Sequence, residues 1–440
     1  MKILCVSLGC DKNLVDTEMM LGLLNRDGHT FTDDENEADI IVINTCCFIN
    51  DAKEESVNTI LEMAELKKTG KCKALIVTGC MAQRYKQEII DEIPEVDGIL
   101  GTSTYDEISN VLKQALGGEG HVSCFHDLNA LPEVETSRII TTGGHYAFLK
   151  IAEGCDKHCT YCIIPSLRGN YRSVPMERLL KEANELADQG VRELILVAQE
   201  TTLYGVDLYG KKMLPELLHK LAEIPGIYWI RIQYCYPEEI TDELIEAIRT
   251  EEKVCHYLDV PIQHASDRIL KRMGRRTNQA QLREIIGKLR AAVPDIALRT
   301  TMISGFPGET QEDHEEVMRF VDEMEFERLG VFTYSAEEDT PAADFPDQIP
   351  EEVKEERRDE IMELQQEIAF EKSESMVGRV LDVMIEGKVA DEAAYVGRTY
   401  MDAPNVDGYI FVNSGELFMS GDFVRVKVTG SNDYDLIGEV

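Results

Sequence analysis

The chain has 440 residues, 43% hydrophobic and 29% charged, a globular composition that excludes fibrous, low-complexity and disordered proteins. Acidic residues outnumber basic ones by 82 to 45, and the net charge of −37 argues against broad attraction to nucleic acid or anionic membranes. No apolar run reaches the roughly 20 residues of a membrane span, and the N-terminus shows no signal-peptide cleavage pattern, so we expect a cytoplasmic protein. Twelve cysteines in that compartment stay mostly reduced, which favours metal or redox chemistry over disulfides.

Residues 1–135 alternate strand and helix patterns, which predicts a three-layer α/β domain with a parallel sheet. The strand patterns are KILCVSL, DIIVINTC and KALIVTGC, and helical patterns lie at NLVDTEMMLGLLNRDG and from about Asp51 to Lys68. Cys10, Cys46 and Cys80 each come where one of these strands ends. Because the carboxyl ends of parallel strands meet at one edge of a sheet, we expect the three cysteines to converge there.

A polar, turn-rich stretch, ALPEVETSRIITTGGH, separates this domain from residues 141–372. That second region contains six strand patterns interleaved with helical ones, and this repeat predicts a partial (β/α)6 barrel. The strand patterns are HYAFLKIAEG, ELILVAQE, YWIRIQY, HYLDVPIQ, ALRTTMISGFPG and RLGVFTYS. A long charged helical pattern, EEVKEERRDEIMELQQEIAFEKSESMVG, follows them and joins the barrel to the last domain.

Residues 373–440 change to short strands punctuated by glycine, which predicts a small five-stranded β-barrel of the oligonucleotide-binding type. From Met376 onward the chain has five basic and eleven acidic residues. This balance is a poor electrostatic match to RNA.

The motif EGCDKHCTYC carries the first indication of chemistry. Cys155, Cys159 and Cys162 have the spacing C-x3-C-x2-C directly after a predicted strand. Three thiolates can hold three irons of a 4Fe-4S cluster and leave the fourth iron open to a ligand from outside the protein. The alternative is a zinc knuckle in which His158 supplies the fourth ligand. The motif resembles that of radical S-adenosylmethionine enzymes, in which an aromatic residue, here Tyr161, precedes the last cysteine.

This resemblance implies that the open iron chelates S-adenosylmethionine and that one electron from the cluster cleaves it to a 5′-deoxyadenosyl radical. It also implies cofactor contacts from polar groups at the barrel strand ends. Gln199 and Glu200 would face the cofactor amine, and the alternative for them is a loop or helix-capping role. Arg168 and Arg299 would pair with a carboxylate of the cofactor or the substrate, and ordinary salt bridges are the alternative. The cofactor-binding residues that we predict are Tyr161, Gln199, Glu200, Arg299 and Gly305, the last either through its backbone N–H or merely as part of a tight turn.

The N-terminal cysteines extend the resemblance to almost the whole chain. SLGCDKN, NTCCFIN and VTGCMAQRY resemble the motifs of the methylthiotransferase family, a branch of the radical enzymes that also ends in a small β-barrel, the TRAM domain. The resemblance implies that Cys10, Cys46 and Cys80 bind a second 4Fe-4S cluster, whose open iron holds or receives the sulfur to be inserted. It assigns the ligand position to Cys46 and not to Cys47. Taken singly, each cysteine would be a small buried hydrophobic residue.

Inserting SCH3 at an unactivated C–H bond needs a hydrogen-abstracting radical and a sulfur donor in one pocket. In this family one S-adenosylmethionine methylates the sulfur and a second provides the radical. Known branches modify either a tRNA adenosine or an aspartate of ribosomal protein S12. DVPIQHASDRILKRMGRRT and YVGRTYMDAPNVDGYIFV resemble the S12 branch, and an acidic enzyme would attract that basic protein. The sequence therefore predicts a methylthiotransferase acting at the β-carbon of an S12 aspartate.

Three other functions remain as alternatives. A tRNA adenosine methylthiotransferase is the nearest one, and the acidic terminal barrel argues against tRNA as the substrate. A non-catalytic electron carrier would need four cysteines per cluster, whereas both triads have three. An RNA-binding module built on the terminal barrel is the third. We expect flavodoxin or ferredoxin as the electron donor, and because these proteins are usually acidic, docking them would need a local basic patch. The segment RRTNQAQLREIIGKLR could form one on a helix face, and the alternative is an ordinary solvated helix.

Overall fold

The computed structural model describes residues 1–118, 120–132, 134, 137–390 and 392–440. These residues form two compact units. The first contains Met1–Thr141, Lys150–Val174 and Ser335–Ala343, and the second contains Thr142–Leu149, Pro175–Tyr334 and Asp344–Val440. No helix among the described residues is long and apolar enough to cross a membrane.

The first unit is built on a parallel sheet whose six described strands have the order β2-β1-β3-β4-β5-β6. Its strands and helices, in chain order, are β1 (Lys2–Ser7), α1 (Asp11–Arg26), β2 (Thr30–Phe31), β3 (Ile40–Thr45), α2 (Asn50–Thr69), β4 (Ala74–Gly79), α3 (Cys80–Tyr85), α4 (Gln87–Glu92), β5 (Gly98–Leu100), α5 (Ile108–Leu116) and β6 (Val122–Cys124).

Helices cover both faces of this sheet because alternate residues of its central strands point to opposite sides. Ile41 and Ile43 of β3 pack with Ile60 of α2 on one face. Ile40 of β3 packs with Met20 of α1 on the other face. The three-layer α/β arrangement predicted for the N-terminal domain is therefore confirmed.

The chain then enters a second sheet, with the order β14-β13-β12-β11-β10-β7. Strands β10 to β14 pair in parallel and alternate with helices, which confirms the partial (β/α)6 barrel and its six predicted strands. The elements are β7 (Tyr146–Lys150), β8 (Ala152–Glu153), α6 (Ile164–Arg168), β9 (Arg172–Ser173), α7 (Met176–Asp188), β10 (Glu193–Val197), α8 (Val206–Tyr209), α9 (Leu214–Ala222), β11 (Trp229–Ile232), α10 (Asp242–Thr250), β12 (Val254–Asp259), α11 (Asp267–Arg272), α12 (Gln279–Ala292), β13 (Ala297–Ser304), α13 (Gln311–Met324), β14 (Arg328–Thr333) and α14 (Glu351–Ser375).

The last region forms a closed barrel with the strand order β15-β16-β17-β19-β18. Its β17 and β19 strands run parallel, and the other neighbouring pairs run antiparallel. This confirms the predicted five-stranded barrel. The strands are β15 (Val380–Lys388), β16 (Ala394–Arg398), β17 (Ile410–Asn413), β18 (Phe423–Asn432) and β19 (Asp435–Glu439).

A buried ionic network ties this barrel to the larger sheet within the second unit. Glu193 of β10 accepts hydrogen bonds from Arg231 Nε at 2.7 Å and from Arg398 Nη2 at 2.6 Å. Arg398 Nε also donates to Glu386 Oε1 at 2.5 Å, and His145 lies 2.6 Å from Glu386 Oε2. Because Glu193, Arg231 and Arg398 are completely buried, each charge depends on its partners rather than on water.

Candidate functional site

Three cysteines of the first unit lie at the carboxyl edge of its sheet. Cys10 follows β1 and precedes α1, Cys46 comes directly after β3, and Cys80 is the first residue of α3, directly after β4. Strands β1, β3 and β4 are neighbours in the sheet, so their ends meet. Electrostatic interactions link the three thiols with one another. The structure thus brings together the residues that the sequence predicted to converge.

The loops that carry Cys10 and Cys46 are packed against each other. Gly9 has φ of +85°, and a Cβ added there would lie 2.8 Å from Cys46 Sγ, so only glycine lets the two loops approach this closely. Asn13, in the first turn of α1, binds both loops: its Nδ2 donates to the Leu8 and Thr45 carbonyl oxygens, each at 3.0 Å. The triad is held by short-range contacts from its own flanking residues.

Cys46 and Cys47 have different surroundings. The Cys46 backbone is fixed by Ser56, whose Oγ accepts from the Cys46 N–H at 3.1 Å and donates to its carbonyl at 2.8 Å. The Cys46 thiol interacts with both Cys80 and Cys10. The Cys47 thiol packs in the apolar core on one face of the sheet, and its largest electrostatic interactions are with Cys80, Arg84 and Cys46 rather than with Cys10. This arrangement supports the assignment of Cys46, rather than Cys47, to the triad.

A buried cluster of charged side chains lies beside Cys80. Arg168 Nη1 donates to Asp16 Oδ2 at 2.8 Å and to Glu153 Oε2 at 3.3 Å, and its Nη2 donates to Asn13 Oδ1. Lys150 Nζ donates to Glu153 Oε2 at 2.8 Å and also to Asp16. Two cations and two carboxylates therefore neutralise each other at buried positions.

Burial raises the pKa of two thiols of the first triad. It raises the pKa of the Cys46 thiol to about 12, and the neighbouring Cys80 thiol acts in the same direction. Burial also raises the pKa of Cys80, and the Arg168 guanidinium opposes that rise through its charge and a hydrogen bond. Thiols in such an environment ionise when a cation binds them, because the metal replaces the lost hydration.

The second cysteine triad lies in the loop between β8 and α6, also in the first unit. The Cys155 N–H donates to the Gly169 carbonyl at 3.1 Å, and the Cys162 N–H donates to the Cys159 carbonyl at 3.0 Å. Cys155 and Cys159 are buried and Cys162 is partly exposed. His158 is exposed and has φ of +51°, so it is on the solvent side of the loop, which disfavours the zinc-knuckle interpretation.

The donor sets of both triads fit iron–sulfur clusters. Within the part of the chain that the structure describes, no three His, Cys, Asp or Glu side chains already stand at metal-coordinating distances. The fit therefore rests on the donors: each triad offers three thiols, two buried and one partly exposed, as a cluster with one open iron requires.

Comparison with known proteins agrees with this donor chemistry. Family models match an uncharacterized protein family, UPF0004, over residues 2–101, the radical SAM superfamily over 149–321 and the TRAM domain over 377–440. A relative from Lachnoclostridium phytofermentans, named ribosomal protein uS12 methylthiotransferase RimO, is 67% identical, with 100% of this chain and 99% of that protein covered. The chain belongs to the RimO family. RimO proteins from Acetivibrio thermocellus and Clostridioides difficile are 52% and 49% identical, covering 100% of this chain and 98% and 99% of theirs.

Solved structures of two other proteins share the fold of this chain. The methyltransferase TsrM from Kitasatospora setae, with tryptophan and a SAM analogue bound, aligns at a TM-score of 0.56 and 12% identity, covering 89% of this chain and 79% of that one. The cobalamin-dependent radical enzyme OxsB aligns at 0.53 and 15% identity, covering 83% and 56%. The family membership identifies the chain as a radical SAM methylthiotransferase that uses an iron–sulfur cluster and S-adenosylmethionine.

The residues predicted to contact the cofactor differ from one another in their surroundings. Tyr161 is half-buried in the loop of the second triad. Gln199 and Glu200 follow the end of β10, where a ligand is expected, and Glu200 is buried. The Glu200 Oε1 accepts from the Thr202 N–H at 2.9 Å, which gives it the loop-stabilising role held open by the sequence. Their contact with the cofactor stays a prediction.

Gly305 and Arg299 bond to other protein groups. The Gly305 N–H donates to Glu309 Oε2 at 2.9 Å, so the GFPGET segment forms a turn around that carboxylate. Arg299 is the third residue of β13, whereas Gly305 follows the last one. The Arg299 guanidinium pairs with Asp259 at 2.9 Å and Asp407 at 3.4 Å. Both placements match the turn and salt-bridge alternatives, and a cofactor contact of either residue remains a prediction.

Sequence reasoning missed Asn13 as a residue that organises the first triad. Its signal was present in SLGCDKN, where the asparagine lies three positions after Cys10 and so one helical turn into α1. Arg168 was predicted to meet a carboxylate of the cofactor or substrate. In the structure it meets the carboxylates of Asp16 and Glu153.

Proposed function

We propose that this chain inserts a methylthio group at the β-carbon of an aspartate in ribosomal protein S12, using two molecules of S-adenosylmethionine. The single observation that carries the proposal is the presence of two separate cysteine triads within one compact unit. In this proposal Cys155, Cys159 and Cys162 hold the cluster that takes S-adenosylmethionine. Cys10, Cys46 and Cys80 hold a second 4Fe-4S cluster that receives the sulfur.

When bound, the two clusters and S-adenosylmethionine supply an electron, a hydrogen-abstracting radical and a methylatable sulfur. The chain's own residues bind and orient these groups. The six thiolates fix the clusters, while Gly9 and Asn13 set the spacing of the Cys10 and Cys46 loops. Cys46, Cys80 and Cys155 are themselves buried, which limits the access of water that would otherwise quench reactive intermediates.

Two observations support S12 as the substrate. The full-length relatives of up to 67% identity are named as uS12 methylthiotransferases. The chain carries a net charge of −37, which attracts a basic ribosomal protein and repels tRNA. Flavodoxin or ferredoxin is the proposed electron donor, and the tRNA adenosine reaction is the competing substrate choice.

We further propose three domains: residues 1–135 for the second cluster, residues 141–372 as the radical SAM core and residues 373–440 as the TRAM barrel. The family models at 2–101, 149–321 and 377–440 support this division. Helix α14 ends at Ser375, so the boundary between residues 372 and 373 lies in the final turn of that helix.

The test of the substrate incubates anaerobically reconstituted full-length protein with S-adenosylmethionine, sulfide and a reductant. Ribosomal protein S12 and tRNA lacking the methylthio group are offered in parallel, and intact masses are read. We expect only S12 to gain one SCH3 in place of H, located on aspartate by tandem mass spectrometry. A gain on tRNA alone would contradict the substrate assignment and leave the family assignment intact.

The two-cluster proposal has its own test. Replacing Cys155, Cys159 and Cys162 together by alanine should abolish reductive cleavage of S-adenosylmethionine and retain one cluster's iron and sulfide. The matched variant with Cys10, Cys46 and Cys80 replaced should keep cleavage and lose sulfur insertion. Iron falling to zero in the first variant would refute two independent sites.

A further inference from the structure

Arg168 joins the loops of the two cysteine triads inside the first unit. It is the last residue of α6, the helix that follows the Cys155–Cys162 loop, and its side chain is 2% exposed. Its Nη2 donates to Asn13 Oδ1, and the Cys80 Sγ lies 3.9 Å from that same oxygen. The guanidinium charge also interacts electrostatically with Cys80 and Cys10. One side chain from the second triad's segment thus reaches two thiols of the first triad.

The two edges of this guanidinium serve different partners. Nη1 donates to the carboxylates of Asp16 and Glu153, and Nη2 donates to Asn13 Oδ1 on the side of the Cys80 thiol, which lies 3.9 Å from the same oxygen. A planar guanidinium with five N–H donors can bond the carboxylates and Asn13 at the same time, whereas a lysine ammonium is a compact point charge.

Lys150 is the second cation beside these carboxylates, and its partners differ from those of Arg168. Lys150 bonds Asp16 and Glu153 and makes a cation–π contact with Tyr105, whose ring centroid is 5.2 Å away. The charge of the carboxylates is therefore shared between two cations. Arg168 is the one of the two that also bonds Asn13 beside the Cys80 thiol, so its positive charge acts on the thiol triad as well.

We propose that Arg168 is a positioning residue that holds Cys80 and raises the reduction potential of the cluster bound by Cys10, Cys46 and Cys80. The inference rests on the proposed function, because it requires a cluster on that triad. The net charge near a cluster and the hydrogen bonds to its sulfur atoms set its potential. A fixed cation stabilises the more negative, reduced state, and burial keeps water from screening it.

The test uses the full-length chain in which Cys155, Cys159 and Cys162 are replaced by alanine, so that only the first triad can hold a cluster. After anaerobic reconstitution, a redox titration followed by electron paramagnetic resonance and visible absorption gives the potential of that cluster. Arg168→Gln and Arg168→Lys are compared in this background. The control is Arg172→Gln, because Arg172 lies nearby but donates to the backbone carbonyls of Arg168 and Asn170.

We expect Arg168→Gln to shift the potential to a more negative value, Arg168→Lys to shift it less, and Arg172→Gln to leave it within error. An unchanged potential in Arg168→Gln, or an equal shift in the control, would overturn the inference. If the background protein itself binds no iron, both the two-cluster proposal and this inference fail. Iron that is bound at an unmoved potential overturns the inference alone.

Arg168→Gln leaves the buried carboxylates in excess and could unfold the protein. A second comparison therefore keeps the charges of this side-chain cluster balanced. Glu153→Gln with Arg168→Gln removes one charge of each sign, and Glu153→Gln alone is its reference. If Arg168→Gln does not fold on its own, the proposal is supported when the double variant has a more negative cluster potential than Glu153→Gln alone. Loss of iron from Arg168→Lys and from the double variant, with native circular dichroism in both, would show a structural role only and overturn it.

Discussion

Gly9 lies directly against Cys46: a Cβ at Gly9 would stand 2.6 Å from Cys46 Cβ and 2.8 Å from Cys46 Sγ. Real Cβ atoms do not approach so closely, so any side chain at Gly9 must displace the cysteine. Cys46 cannot yield easily, because its N–H and carbonyl are both bonded to the buried Ser56 hydroxyl.

We predict that Gly9→Ala lowers the iron content toward about half and reduces methylthio transfer roughly tenfold or more, as losses around metal ligands typically do. Iron and sulfide analysis and the S12 mass assay measure these effects. Gly28→Ala is the control, since Gly28 has φ of +84° but no atom within 4 Å of the added Cβ. Both variants carry the backbone strain of a left-handed alanine, about 1–2 kcal/mol. Equal iron loss in both would assign the effect to strain rather than to Cys46.

Cys46→Ala and Cys47→Ala should have very different effects on iron content and sulfur insertion, although the residues are adjacent. We expect Cys46→Ala to lose one cluster's iron and abolish sulfur insertion, while reductive cleavage of S-adenosylmethionine continues. Cys47→Ala removes a buried thiol of the apolar core that interacts with Arg84, so it should cost stability and keep both clusters. Iron analysis, the mass assay and thermal unfolding distinguish the two. Comparable loss of iron in both variants would refute the ligand assignment.

The sequence predicted the convergence of Cys10, Cys46 and Cys80 because strand ends are local patterns. Each cysteine follows a run of apolar residues, and parallel strands bring their carboxyl ends to one edge whatever their order. The charged cluster behind the triad was beyond this reasoning. Asp16 and Arg168 are 152 positions apart, and no local pattern shows that they pair.

The barrel contacts show the limit of reading polar strand ends as ligand sites. Arg299 and Gly305 lie on or after a predicted strand, as a cofactor contact would. Their partners are Asp259, Asp407 and Glu309, three acidic residues of this same chain. A guanidinium or a backbone N–H bonds a protein carboxylate and a cofactor carboxylate alike, so the sequence cannot distinguish them.

Glu193→Gln should strongly destabilise the second unit. Burial alone would raise the pKa of the Glu193 carboxyl, but the charges and hydrogen bonds of Arg398 and Arg231 outweigh burial and lower that pKa. Glu193 is therefore ionised between two buried guanidinium groups. Neutralising it leaves the buried Arg231 without its carboxylate partner and Arg398 with Glu386 alone, at a cost of about 3–5 kcal/mol. Urea unfolding measures the change, with Glu246→Gln as the control. Glu246 pairs with Arg249 on an exposed helix surface, where water and salt screen the two charges, so its neutralisation should change stability little. A similar small loss for both would mean that the network is not the link between sheet and barrel.

Binding of S12 should weaken steeply with salt, because long-range attraction between an acidic enzyme and a basic substrate is screened. Raising NaCl from about 0.05 M to about 0.5 M should slow association roughly tenfold and change dissociation far less, as stopped-flow measurements would show. Neutralising three exposed acidic residues of the terminal barrel, by Asp382→Asn, Glu416→Gln and Asp433→Asn, should slow association at low salt and leave the melting temperature unchanged. If association is insensitive to both salt and these substitutions, the net charge does not select the substrate, and recognition must rest on contacts within the active site.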